Sequence, residues 1–244
     1  MNAPDPLLPP SKVAGLVPTL NNTGWMTEAL DEVSEAFTVY AASIQEESLD
    51  IGCAYGVATL PALAGGARVL ACDMEPRHLE ILRQRVPESD QSRLRTQPAV
   101  MPDVSFPPNS FGAILCARAL HFLKGGDIGL TILRMHDWLV PGGRIFIVAD
   151  SPYAGPWYKN APEYERRKAA GCPWPGFVQN YRELLSASAK PEEHPEFMNP
   201  LDPDILRRVA TAARFEVLEA RWLRGASAGR MEKAHAGLIA RKPT

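Results

Sequence analysis

Cysteine is scarce: Cys53, Cys72, Cys116 and Cys172 are the only four in 244 residues, at wide and irregular spacings. There is no C-x-x-C pair and no Cys/His group at zinc-ligand spacing, so neither a metal site nor a disulfide framework is expected. A basic excess is also missing. The 26 Lys and Arg against 28 Asp and Glu give a net charge of −2, which disfavours a chain built to neutralise a nucleic-acid backbone. No apolar run reaches membrane-spanning length; the best, Phe111 to Leu123, is short and broken by Arg118, so no membrane partner is expected. The first residues lack the charged and apolar parts of a signal peptide, and a cytoplasmic location is the expectation.

Proline is plentiful, and its placement divides the chain. Five of the 23 fall in the first 18 residues and nine between Pro152 and Pro203, whereas residues 47–150 hold eight. Proline cannot donate to a ladder, so the scaffold belongs in the middle. There, β-rich runs alternate with helical patterns. Strands are expected at Ser48–Ile51, Arg68–Cys72, Arg93–Thr96, Phe111–Cys116 and Arg144–Ala149, with helices at 57–63, 76–86 and 126–139. Such alternation gives right-handed crossovers and a doubly wound, mostly parallel Rossmann-like α/β sheet. A helix at 203–213 and runs at Phe215–Leu223 and Lys233–Arg241 follow. The last two are too close for a helical crossover and are expected to pair antiparallel. The division is a helical lid segment over 1–46, a ligand-binding core over 47–150, an insertion over 151–200, and 201–244 completing the sheet.

In such a sheet the ligand lies beyond the carboxyl ends of the strands. The first core strand ends in Leu49-Asp50-Ile51-Gly52-Cys53-Ala54-Tyr55-Gly56, where Gly52 and Gly56 permit a tight turn and a close backbone approach. Asp73 follows 21 residues after Gly52, at the tip of the next strand, where a carboxylate can accept two hydrogen bonds from a ribose diol. The dinucleotide pattern G-x-G-x-x-G fails, because Ala54 and Val57 fill the second and third glycine places. Asp50 suits an amino group better than a pyrophosphate. The ligand therefore has adenosine at one end and a cationic group at the other.

These residues resemble the class I S-adenosylmethionine-dependent methyltransferases. Residues 49–56 look like that family's acid-x-Gly-x-Gly-x-Gly motif with Ala54 as the middle glycine, and Asp73 matches its ribose acid. Phe106–Gly112 resembles its P-F-x-D-N-S-F-D run, Leu120-His121-Phe122-Leu123 the segment after it, and Trp138–Gly143 its L-K-P-G-G turn. The resemblance implies a class I methyltransferase fold and S-adenosylmethionine as cofactor. Its methionine end would be held by Asp50, Gly52, Cys53, Ala54 and Gly56, and its ribose by Asp73. Met74, Ala99 and Val100 would border the adenine, while Cys116 would lie near the transferring methyl. Two positions depart from the family: Gln97-Pro98-Ala99 replaces the acid facing adenine, and Gly112 replaces an Asp. Adenine recognition then falls to backbone groups near Ala99 and Val100.

His121, just past the Phe111–Cys116 strand, has the right intrinsic pKa for a general base and is the catalytic candidate, with cofactor contact or packing as its other reading. The insertion holds eight of the 19 aromatic residues. With Trp25, Phe37 and Tyr40, these either wall an apolar acceptor pocket or form the insertion's own small core; Trp157 and Tyr158 are the substrate-binding candidates. Gly225-Ala226-Ser227-Ala228-Gly229 matches a hydrolase nucleophile elbow in form only, since no Asp follows Ser227. The expected function is methyl transfer to oxygen or nitrogen of a small molecule. A cofactor-binding protein without turnover and a nicotinamide-dependent oxidoreductase are the alternatives.

Overall fold

Strand β3 (Ser48–Ile51) is buried along its whole length, as an apolar run covered on both faces must be. It pairs in parallel with β4 (Val69–Asp73) on one side and β6 (Phe111–Ala117) on the other. A computed structural model describes residues 5–11, 13–184, 194–224 and 232–244. With β5 (Leu94–Pro98), β7 (Leu139–Asp150), β8 (Glu216–Leu223) and β9 (His235–Arg241), these strands form one seven-stranded sheet in the order β5-β4-β3-β6-β7-β9-β8. Strands β5 to β7 run parallel, and β9 is antiparallel to both of its neighbours. The closing strand pair is therefore antiparallel, as its short connection requires.

Helices cover both faces. Leu49, Ile51, Ile114 and Cys116 point into a cluster with α4 (Gly125–Trp138) and α6 (Pro203–Ala212). On the opposite face Ala71, Leu115, Phe146 and Val148 meet α1 (Glu32–Ala42), α2 (Thr59–Ala64) and α3 (Pro76–Arg85). Asp31 caps α1 by accepting from Val33 N and Ser34 N. Proline occupies the first turn of α3 and of α6, where its missing N–H costs nothing.

Two expectations change. Residues 1–46 are not a purely helical lid: β1 (Leu16–Pro18) and β2 (Trp25–Thr27) form an antiparallel hairpin, and α1 is a structural layer, with Phe37 and Tyr40 both 5.7 Å from the Phe146 ring. Those two aromatics belong to the core and do not wall an acceptor pocket. The strand expected at Arg144–Ala149 starts earlier: β7 begins at Leu139, directly after α4 ends at Trp138, and its register with β6 shifts between Phe111 and Ala113. Residues 151–200 contain 3-10 turns at Gly155–Asn160 and Tyr181–Leu184 and helix α5 (Ala161–Ala169). No described helix is long and apolar enough to cross a membrane.

Candidate functional site

The strand order reverses between β3 and β6, the place where a sheet of this kind binds its ligand, beyond the carboxyl ends of the strands. The loop leaving β3 is pinned from below: Gly52 N and Cys53 N both donate to Cys72 O, at 2.8 and 3.0 Å. Ala54 then adopts φ +44°, a left-handed conformation that costs an L-residue roughly 1–2 kcal/mol. Its N–H donates to Asp73 Oδ2 at 2.8 Å, which holds it there. Here alanine keeps the backbone path of the glycine it replaces.

Asp73 is thus part of the loop's frame. Its Oδ1 accepts from Glu75 N at 2.9 Å and lies 3.0 Å from His78 Nδ1. A carboxylate offers about four lone-pair positions, and three are taken. One position, on Oδ2, remains beside these three contacts, where the sequence reading expected a ribose diol. Ala99 is drawn beside this acid by its N–H to Asp73 O, 2.9 Å. Met74 and Val100, on either side of that junction, are 53% and 50% exposed. They present uncovered apolar surface next to Asp73 and Ala99 in the chain.

Asp50 is 3% exposed, and its Oδ2 accepts from Thr59 Oγ1 at 2.6 Å. Burial, only partly offset by that hydroxyl, pushes its carboxyl up to about 6, with the Asp73 charge adding to the rise. A cationic group beside Asp50 would restore its charge. The Cys53 and Cys72 thiols are pushed up by the same burial, Cys72 to about 12, and stay protonated. Cys116, expected at the cofactor, is wholly buried in the cluster with α4 and α6 and has a packing role.

Beyond the ends of β6 and β7, His121, Asp150, His235 and Arg118 come together. The His121 Nδ1 accepts from Asp150 N at 3.1 Å. In that arrangement the ring's proton sits on Nε2, 3.7 Å from Asp150 Oδ2. The His235 Nε2 lies 3.7 Å from Asp150 Oδ1 and accepts from Arg118 Nε at 3.3 Å. Arg118 also pairs with Asp31 at 2.9 Å. Burial lowers both histidines, His235 to about 4, so both rings are neutral near pH 7. His121 Nε2 thus carries a proton rather than a lone pair, and the Asp150 side chain beside it is 28% exposed. An acid directly following an expected strand was the available signal for Asp150. Nothing local marked Thr59 or His78.

The insertion's aromatics divide among several small contacts. Tyr164 donates to Asp202 and meets the Tyr153 ring edge-on, Tyr153 meets Trp222, Phe177 meets Phe197, and Trp174 lies under Arg208. Tyr153 and Trp222, with Lys168, Arg221 and Lys233, line a cavity of about 380 Å³ at the β8 edge. Tyr158 is exposed on the Gly155–Asn160 turn. The Trp157 side chain and the Gly225–Gly229 stretch lie outside the described residues.

Residues 49–143 match a family model described as "Methyltransferase domain". Those residues form a methyltransferase domain. Over 120 residues it is 31% identical to demethylmenaquinone methyltransferase of Tropheryma whipplei, a match covering 47% of each chain. The chain thus spans about half the length of the curated relatives it matches. Among solved structures, a Methanosarcina mazei S-adenosylmethionine-dependent methyltransferase superposes with a TM-score of 0.64 at 19% identity, over 88% of this chain and 99% of that one. The 1,6-didemethyltoxoflavin-N1-methyltransferase of Burkholderia thailandensis, bound to 1,6-didemethyltoxoflavin and S-adenosylhomocysteine, gives 0.57 at 18% identity, over 88% and 80%. At these identities the likeness is one of fold. The methyltransferase domain contains the whole loop–Asp73 frame.

Proposed function

We propose that the protein transfers a methyl group from S-adenosylmethionine to nitrogen or oxygen of a small-molecule acceptor. The observation that carries this reading is Asp50, a buried acid whose charge burial suppresses, in the frame of a turn whose other acid, Asp73, keeps one acceptor position. The donor set fits the cofactor in three places. Asp50 and the loop Gly52, Cys53, Ala54 and Gly56 suit its ammonium end, Asp73 suits one ribose hydroxyl, and Met74, Ala99 and Val100 suit the adenine face. When bound, S-adenosylmethionine supplies a methyl already activated on a sulfonium.

The remaining work for the chain is to orient the acceptor, exclude water and manage one proton. His121 keeps its place at the transfer site in this reading, but as a donor turned toward Asp150. The Asp150 carboxylate, beside neutral His121 and His235, holds a protonated amine or takes the acceptor's proton. Trp157 and Tyr158 remain the proposed acceptor contacts on the insertion. The near-neutral net charge and the size of the matched fold suit a small acceptor better than a nucleic acid, and the cytoplasm is the proposed location.

Titration calorimetry with S-adenosylmethionine, S-adenosylhomocysteine and NADH tests the cofactor. Micromolar binding of both adenosyl ligands with none of NADH is expected. Binding of NADH alone would sink the reading and restore the oxidoreductase alternative. Adenosyl binding without product across an amine and phenol acceptor screen would point to a protein that has lost turnover.

A further inference from the structure

His78 is 1% exposed, in the first turns of α3, and both of its ring nitrogens are engaged. Its Nε2 lies 2.9 Å from the backbone N of Leu20, which can only donate. Nε2 therefore carries a lone pair and Nδ1 carries the proton, directed at Asp73 Oδ1 across 3.0 Å. The ring also packs edge-on against Tyr55, at 4.7 Å between centroids.

Leu20 follows β1, and the hairpin is fastened at neighbouring points. Tyr55 Oη donates to Pro18 O at 2.8 Å, and Arg77 donates to Leu20 O at 2.7 Å. Val17 and Met26 of the hairpin pack on Ala54 and Tyr55 of the glycine loop. One imidazole thus joins the hairpin to the acid that frames the cofactor loop.

We propose that His78 is a positioning residue for the cofactor. Its Nδ1–H fixes the Asp73 carboxylate so that the free Oδ2 position faces the ribose. Its Nε2 makes docking of the N-terminal hairpin and cofactor binding favour each other. The proposal rests on the reading of Asp73 as the ribose acid. Coupling of this kind is reciprocal: what the hairpin does for the cofactor, the cofactor does for the hairpin.

Two amide substitutions separate the two arms, because an Asn amide nitrogen reaches the place of Nδ1 and a Gln side-chain end reaches the place of Nε2. The test measures affinity for S-adenosylhomocysteine and its 2′,3′-dideoxy analogue by calorimetry, and deuterium uptake of residues 16–27 with and without S-adenosylhomocysteine. His78→Gln should bind S-adenosylhomocysteine about 10- to 100-fold more weakly and lose less than threefold on the dideoxy analogue. His78→Asn should keep S-adenosylhomocysteine affinity within about fivefold, while the ligand-induced protection of residues 16–27 seen in the wild type disappears. Equal losses of His78→Gln on both ligands, or retained hairpin protection in His78→Asn, would overturn the proposal. A wild type that binds the two ligands equally would instead remove Asp73 from the ribose. Should either variant fail to fold, ¹⁵N NMR of the wild-type ring decides, since a proton on Nε2 contradicts the arrangement.

Discussion

Asp50→Asn should stabilise the ligand-free protein above pH 6. The Asp50 carboxyl ionises near 3.8 in an unfolded chain and near 6 in the fold, chiefly because burial disfavours its charge. The folded state therefore binds the proton more tightly. Below about pH 4 both states hold that proton, and aspartate and asparagine are nearly equivalent. As pH rises to 6 the unfolded chain ionises and the folded one does not, so wild-type stability falls by about 1.4 kcal/mol per unit. The gap then levels at roughly 3 kcal/mol in favour of the variant, about 6–12 °C in midpoint for a chain of this size. Asparagine keeps an oxygen for the Thr59 hydroxyl. Thermal unfolding of both proteins at pH 4, 5, 6 and 8 measures the divergence. S-adenosylmethionine at saturating concentration should reverse the order at pH 8, because only aspartate gains from a cation. A variant less stable than the wild type at pH 8 without ligand would refute the reasoning, since it would mean the carboxylate is already compensated within the fold.

Gly56→Ala should destabilise the fold by about 2–4 kcal/mol in urea titrations, because Gly56 has φ +84° and a Cβ there would land on Leu82 Cδ1. Asp202→Ala should cost about 3 kcal/mol: the Asp202 carboxylate caps α6 through Ile205 N at 2.7 Å and accepts from buried Tyr164 and from Lys168. Once an acceptor is identified, Asp150→Asn should lower kcat/KM about 10²- to 10³-fold and remove its acidic limb, whereas His121→Asn should cost less than tenfold and keep that limb. The reverse ranking in pH-rate profiles would return the base role to His121.

Four of the five parallel strands were legible to within two residues, because β-rich runs bounded by Gly and Pro leave few alternatives; β7 starts at Leu139, five residues before the expected Arg144. The places of Asp50, Gly52 and Asp73 at the ends of two consecutive strands were legible from the strand pattern. The N-terminal hairpin was not. Pro18 and Asn21-Asn22 read as irregular chain, although Asn22 at φ +56° is the kind of turn residue that joins two short strands. His78 was invisible for another reason. It sits beside Leu79 in an amphipathic helix, and its partners Leu20 and Asp73 are 58 and 5 residues away, so only the folded arrangement gives it meaning. Composition left two uses open for the insertion's aromatics; in the fold Tyr153 meets Tyr164 and Trp222, and Phe177 meets Phe197. Gly112, a departure from the family pattern, has a packing reason, since a side chain there would run into Ile44 and Glu46.

The place of β9 has a bearing on how the chain folds as it is made. Strand β7 carries Ile145, Phe146, Ile147, Val148 and Ala149, all buried, and one of its two edges is paired by residues 235–241. Until those residues leave the ribosome, nearly a hundred positions after β7 itself, that edge is an unpaired, uncharged ladder of the kind that captures other chains. Within residues 144–150 only the two end residues, Arg144 and Asp150, are charged. Slow translation or truncation just before β9 should therefore yield aggregates rather than a smaller soluble domain.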